Sequence, residues 1–240
     1  MTERTIRSAM LLGEAAAEKL NTSHVAVVGL GGVGSWCAEA LCRAGVGHLT
    51  IVDSDEVSLS NCNRQLSALS TTVGMPKTEA MGRRLREIAP DLVLRCLPLR
   101  YEASTREVFF EGGYDYIADC IDLVACKLDL IETAQARSIP LISALGTGNK
   151  LDAQQLCIAD LADTSGCPFA RVMRKELRKR GIEHLPVVYS REEARTPLSI
   201  GDELPPPGRR SIPGSVVWVP ATAGLLMAQH IVTALTGDSI

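Results

Sequence analysis

A chain of 240 residues, 46% of them hydrophobic, is long enough to bury the core of one α/β unit with extensions. Its formal net charge of −3 excludes a globally basic nucleic-acid binder, so any such role needs a local patch. The opening MTERTIRSAM lacks an apolar signal-peptide core and the eight cysteines form no Cys-x-x-Cys pair, which predicts a reduced, cytoplasmic protein without a zinc knuckle.

Residues 4–20 read as helical, with Ile6, Met10, Leu11 and Leu20 broadly on an apolar side. Arg4 and Arg7 lie three apart on nearly one face, and are either solvated or reach nucleotide phosphates. Next comes the strongest local signal. The apolar run Val25–Val28 ends in a glycine turn, a helix begins near Val33, and the run Leu49–Val52 ends on Asp53. That is a βαβ unit with a dinucleotide-type fingerprint. Gly29, Gly31, Gly32 and Gly34 allow backbone N–H groups to approach a pyrophosphate, and the helix N-terminus points its dipole there. Asp53 stands where a carboxylate accepts hydrogen bonds from ribose hydroxyls. The pattern leaves NAD, FAD and ATP open.

The polar stretch Asp53–Gln65 follows the carboxyl end of a parallel strand, the edge at which open α/β sheets bind ligands. Asp55, Asn61, Asn63, Arg64 and Gln65 concentrate directional hydrogen-bonding groups suited to phosphate and sugar. A helix then opens at Pro76-Lys77, with Ala80, Met81, Leu85 and Ile88 at helical spacing. Lys77 falls in its first turn, a poor place for a cation unless an anion faces it. Val93–Leu97 reads as a third strand, Ser104–Phe110 as a short helix and Tyr116–Asp122 as a fourth strand. Asp122 would project from the same edge as the glycine turn and could hold magnesium against phosphates, with Asp119 as a strand-end cap. Val124–Arg137 is the next crossover helix and Pro140–Leu145 a fifth strand.

The alternation breaks near residue 150. Gln155–Ile158 reads as a strand, and Phe169, Val172, Met173 and Leu177 mark an amphipathic helix. Its other side carries Arg171, Arg174, Lys175, Arg178, Lys179 and Arg180, ordinarily a solvated face and otherwise a seat for an RNA backbone. Residues 190–213 are predicted to form a mobile loop, Ser215–Val219 a strand, and Ala221–Leu235 an apolar helix too short for a membrane span. His230 on that helix reads as a core histidine.

In order and joint spacing, Arg4-x-x-Arg7, Gly29-x-Gly31-Gly32-x-Gly34, Asp53-x-Asp55, Asn61-x-Asn63-Arg64-Gln65, Lys77 and Asp119-x-x-Asp122 resemble one family. It is the adenylating superfamily of ubiquitin-activating enzymes, ThiF and MoeB. Gly31–Trp36, Asn61–Gln65, Pro168–Arg178 and Pro213–Ser215 resemble its bacterial tRNA threonylcarbamoyladenosine dehydratase branch. The resemblance implies a three-layer, Rossmann-like α/β adenylating domain with a mostly parallel sheet and antiparallel C-terminal additions. Residues 1–150 would form the nucleotide-binding core, and residues 151–240 a substrate- and dimer-side extension. The expected cofactors are ATP and magnesium. Gly32 and its neighbours would hold the phosphates, Asp53 the ribose, and Asn61, Arg64 and Lys77 the phosphate charge. Asp122 would position magnesium and Arg7 reach the γ-phosphate. The expected reaction is ATP-dependent cyclisation of threonylcarbamoyladenosine in tRNA through a carboxyl-adenylate. The alternative is adenylation of the C-terminal carboxylate of a ubiquitin-like or sulfur-carrier protein. Expected partners are tRNA, a second copy in a homodimer and a candidate sulfur-transfer protein, with no membrane. Cys167 stands where this branch leads one to expect aspartate, and is a candidate nucleophile without an evident base.

Overall fold

In the computed structural model, which describes residues 3–198 and 213–237, the sheet follows from the sequence's apolar runs. Strands β1 (His24–Val28), β2 (His48–Val52), β3 (Val93–Leu97), β4 (Tyr116–Asp119) and β5 (Leu141–Ala144) are mutually parallel. Their inner members are near-continuous Val, Ile, Leu and Ala, as strands covered on both faces require. Two further strands, β6 (Leu156–Asp160) and β7 (Pro186–Ser190), complete the order β3-β2-β1-β4-β5-β7-β6. β7 is parallel to β5, and β6 runs antiparallel to β7 at the edge of the sheet.

Alternate residues of each strand serve opposite layers. On one face Val25, Val27, Leu49 and Ile51 pack with Leu41 of α3 (Gly34–Ala44), Met81 of α4 (Lys77–Ile88) and Met227 of α5 (Trp218–Thr236). On the other, Ala26, Val28 and Ile117 pack with Phe109 of α6 (Arg106–Phe110), Leu130 of α7 (Val124–Ala136) and Met173 of α8 (Pro168–Arg178). Two short helices, α1 (Ile6–Leu12) and α2 (Glu14–Thr22), precede the sheet. The three-layer expectation is met.

Several local expectations need correction. The helix expected over residues 4–20 is broken at Gly13, whose φ of 86° ends α1 and starts α2. Val172 faces solvent, and Ala170 takes its place beside Met173 and Leu177 on the buried stripe. No strand forms over Ser215–Val219. The β-branched Val216, Val217 and Val219 suggested one, but α5 starts at Trp218 and accommodates Pro220 in its first turn, where no intrahelical N–H is needed. The stretch from 190 onward starts inside β7, and Glu192 accepts the backbone N–H groups of Leu151 and Asp152 at 3.0 and 2.9 Å. Residues 199–212 of the expected mobile loop lie outside the described residues. Among the described residues one helix, α5, is long and apolar enough to cross a membrane; its Val219, Ala223, Met227 and Ile231 are buried in the core.

Candidate nucleotide-binding site at the carboxyl edge of the sheet

Chain order reverses between β1 and β4, and a crevice opens at such a switch point beyond the carboxyl ends of the strands. The glycine turn leaves β1 here. Gly29 has φ 93°, donates its N–H to Val52 O at 2.8 Å, and has no room for a side chain: a Cβ would lie 2.8 Å from Cys120 O. At Gly34 a Cβ would sit 1.8 Å from Gly29 O. These two glycines let the turn close and bring the start of α3 up to the strand end. Gly31 meets nothing and stays open. Gly32 faces Pro220 and the Arg64 side chain, a Cβ there lying 3.1 and 3.5 Å from them.

Asp53 follows β2 and binds the turn directly. Its Oδ2 accepts the Leu30 N–H at 2.7 Å and its Oδ1 the Asp55 N–H at 2.8 Å. The anion that Lys77 needs is found here: its Nζ lies 2.8 Å from Asp55 Oδ2 and 3.7 Å from Asp53 Oδ1. Lys77 is buried to within a few per cent, whereas Asp55 is largely exposed. A carboxylate has lone-pair capacity beyond two bonds, so Asp53 can hold the turn and still accept from a ribose.

The 58–66 loop is fastened to the same turn. Ser35 Oγ donates to Gly31 O at 2.7 Å and accepts the Leu66 N–H at 3.1 Å, while Trp36 Nε1 donates to Arg64 O at 3.1 Å. Asn61 is used locally, accepting the Ser58 N–H at 3.1 Å in a capping box. Arg64 donates to Ser60 O and Asn63 Oδ1, both at 2.9 Å. Asn63 donates to Ser215 O at 3.0 Å, joining this loop to the segment before α5. Gln65 is buried, with Oε1 receiving no hydrogen bond among the described residues.

Asp122 lies in the 120–123 loop between β4 and α7, exposed on the same edge as Gly29. Asp119 is separate, as expected. It caps the Ile121 N–H at 3.1 Å and is fully buried against Lys127 Nζ at 2.6 Å and Ser143 Oγ at 2.7 Å. Sequence reading missed Lys127. Its signal was a lone lysine among buried apolar positions of a helix, eight residues after an aspartate.

Arg7 is not brought to this edge within one protomer. α1 sits near Gly45 and Leu92, with Thr5 meeting Gly45, at the far end of α3. Eleven helical residues, about 16 Å, separate that end from the glycine turn. Arg4 is taken by an ion pair with Asp91. A cavity of about 280 Å³ opens beside these helices, lined by Ser8, Leu12, Leu20, Cys42, Val46 and Ile88, on the edge opposite the crevice. Cys167 is buried at the N-cap of α8 against Gly146. His230 is satisfied by Tyr116 Oη at 3.1 Å, and burial holds its pKa below the usual value.

The residues fit a nucleotide triphosphate better than a metal held by protein alone. Two glycines keep the turn clear of Cβ atoms, and a buried lysine and an arginine flank it. Among the described residues no three His, Cys, Asp or Glu side chains gather to hold a metal, so a magnesium ion here would take most of its ligands from phosphates and water.

The ThiF family matches residues 3–240. A Bacillus subtilis protein named tRNA threonylcarbamoyladenosine dehydratase is 40% identical, over 99% of this chain and 96% of its own. The solved Escherichia coli tRNA N6-threonylcarbamoyladenosine dehydratase in complex with AMP superposes at a TM-score of 0.88 and 33% identity, covering 98% of this chain and 94% of that one. The same enzyme in complex with ATP gives 0.88 and 32% over the same shares.

Proposed function

The chain belongs to the ThiF family, and we propose that it is an ATP-dependent dehydratase that cyclises threonylcarbamoyladenosine in tRNA through a carboxyl-adenylate. One observation supports this most: the glycine turn, Arg64, buried Lys77 and Asp122 open on one sheet edge in a chain alike over nearly its whole length to dehydratases of that name. An AMP complex in that relative suits loss of pyrophosphate rather than of a single phosphate.

A carboxylate has no good leaving group. Its oxygen attacks the α-phosphorus of ATP, forming the acyl–phosphate bond as the bond to pyrophosphate breaks. A nucleophile on the same modified side chain then attacks the acyl carbon, loses its proton, and displaces AMP as the ring closes. The substrate has lost one water. No protein thiol is needed.

Within this scheme backbone N–H groups of the glycine turn hold phosphates and Asp53 the ribose, while Asp55, Asn61, Asn63 and Gln65 shape the neighbouring loop. Lys77 and Arg64 offset the negative charge that grows on the departing pyrophosphate. Asp122 would hold a magnesium ion, which would supply further neutralisation of the phosphate charge. Arg7, remote from its own crevice, would enter the crevice of a second copy in a homodimer. Residues 1–150 then serve as the nucleotide-binding part and 151–240 as the substrate and dimer side of a cytoplasmic enzyme. A sulfur-transfer protein remains a further candidate partner, to be sought by co-purification.

The test follows AMP and pyrophosphate release from ATP on adding tRNA that bears threonylcarbamoyladenosine. Wild type should release one of each per product, and Arg64→Ala and Asp122→Ala should fall about a hundredfold or more. Mixing Arg7→Ala with Asp122→Ala protomers should restore about a quarter of wild-type activity, through one complete site in each mixed dimer. Turnover that requires a small carrier protein instead of tRNA would favour the alternative adenylyltransferase.

A further inference from the structure

The cations of α8 have no role in the adenylation site. Six of them follow Ala170 on the helix or just beyond it. Three are held by protein groups: Arg174 by Thr164 O at 2.6 Å, Lys179 by Glu176 at 2.7 Å, and Arg180 by Glu132 at 3.0 Å. Arg171, Lys175 and Arg178 are exposed and make no ion pair among the described residues. Their i, i+4, i+7 spacing sets them in one stripe about 10 Å long, where like charges repel. Elsewhere exposed arginines are either paired with carboxylates, as Arg4, Arg83 and Arg137 are, or stand singly on separate elements, as Arg7, Arg86, Arg100 and Arg191 do without an ion pair among the described residues. In a chain of net charge −3 this concentration of unneutralised cations is local and points to a polyanion.

The stripe is also well placed. α8 starts at Pro168, beside Gly146 just after the carboxyl end of β5. β5 lies two strand spacings from β1, about 10 Å. A polymer lying along α8 could therefore extend one nucleotide to the glycine turn while its backbone stays on the helix.

We propose that Arg171, Lys175 and Arg178, flanked by Arg174 and Lys179, form the docking surface for the sugar-phosphate backbone of the substrate tRNA. The surface is read from charge and placement, and the identity of the RNA rests on the dehydratase reading. It contacts phosphates, so it positions the RNA without reading its bases.

The experiment measures binding of threonylcarbamoyladenosine-bearing tRNA, without ATP, across a salt series. It compares wild type, the triple variant Arg171→Gln/Lys175→Gln/Arg178→Gln, and a matched neutralisation of Lys19, Arg86 and Arg100, which are exposed and without an ion pair among the described residues. The α8 variant should bind at least tenfold more weakly at about 0.1 M salt, with the log–log salt slope reduced by about two. Its KM for tRNA should rise while kcat at saturating tRNA and the KM for ATP hold. Equal affinity and slope in the α8 variant and wild type, or an equal loss in the matched control, would overturn the surface while leaving the dehydratase standing. A wild type that neither binds nor converts this tRNA would overturn both.

Discussion

Lys127 is fully buried, bonded to Asp119 at 2.6 Å and Ser143 at 2.9 Å, and joins the ends of β4 and β5 just below the Asp122 loop. Removing one member of such a pair strands the other charge without solvent. Lys127→Met should therefore cost about 3–5 kcal/mol in chemical denaturation. Asp119→Asn/Lys127→Met should recover part of that loss, and a double variant no more stable than the single would contradict the pairing. Much of the neighbouring site was legible at this scale. Gly29, Gly34, Asp53 and Lys77 stand out because steric limits and helix-end electrostatics restrict which residue type can occupy them. Trp36, Ser35 and Ser215 did not, since each acts through a side chain–backbone hydrogen bond between groups distant in sequence.

Among elements, the packing of α3 on α5 and α4 sets the floor of the crevice. Gly224 permits the first contact, since a Cβ there would lie 2.4 Å from Val33 O. Glu39 of α3 secures the second, bonded to Arg84 of α4 and, at 2.8 Å, to Arg43. Burial pushes the Glu39 pKa up, but the hydrogen bonds from Arg84 and Arg43 outweigh it and hold the carboxyl below its ordinary 4.5. A group with a depressed folded pKa stabilises above its unfolded value, and that stability fades as pH falls through the folded one. Stability should thus decline below about pH 4.5, and Glu39→Gln, costing about 1–2 kcal/mol at neutral pH, should flatten that part of the decline. An unchanged acid limb in Glu39→Gln would rule the pair out. Elements with two buried faces, such as β1 and β2, were legible from their apolar runs. β7 was missed because its short Pro186–Ser190 run gains its strand identity from pairing with β5 and β6. Ser215–Val219 was misread because β-branched residues suit either a strand or the start of a buried helix.

For the whole molecule, the strand order places the glycine turn, the Arg64 loop and the Asp122 loop at one switch point, with α8 rising beside it. Arg7 stands apart at the opposite edge, so a site that uses it needs a second copy. Composition carried none of this, because the net charge averages away the α8 stripe. Three layers were legible; which helix faces which partner was not. The most direct measurement is the mass of nucleosides from threonylcarbamoyladenosine-bearing tRNA after incubation with the protein, ATP and magnesium under mild conditions. The expected product is lighter by one water, absent without ATP and absent with Asp122→Ala. An unchanged nucleoside with folded, ATP-binding wild type would contradict the dehydratase reading.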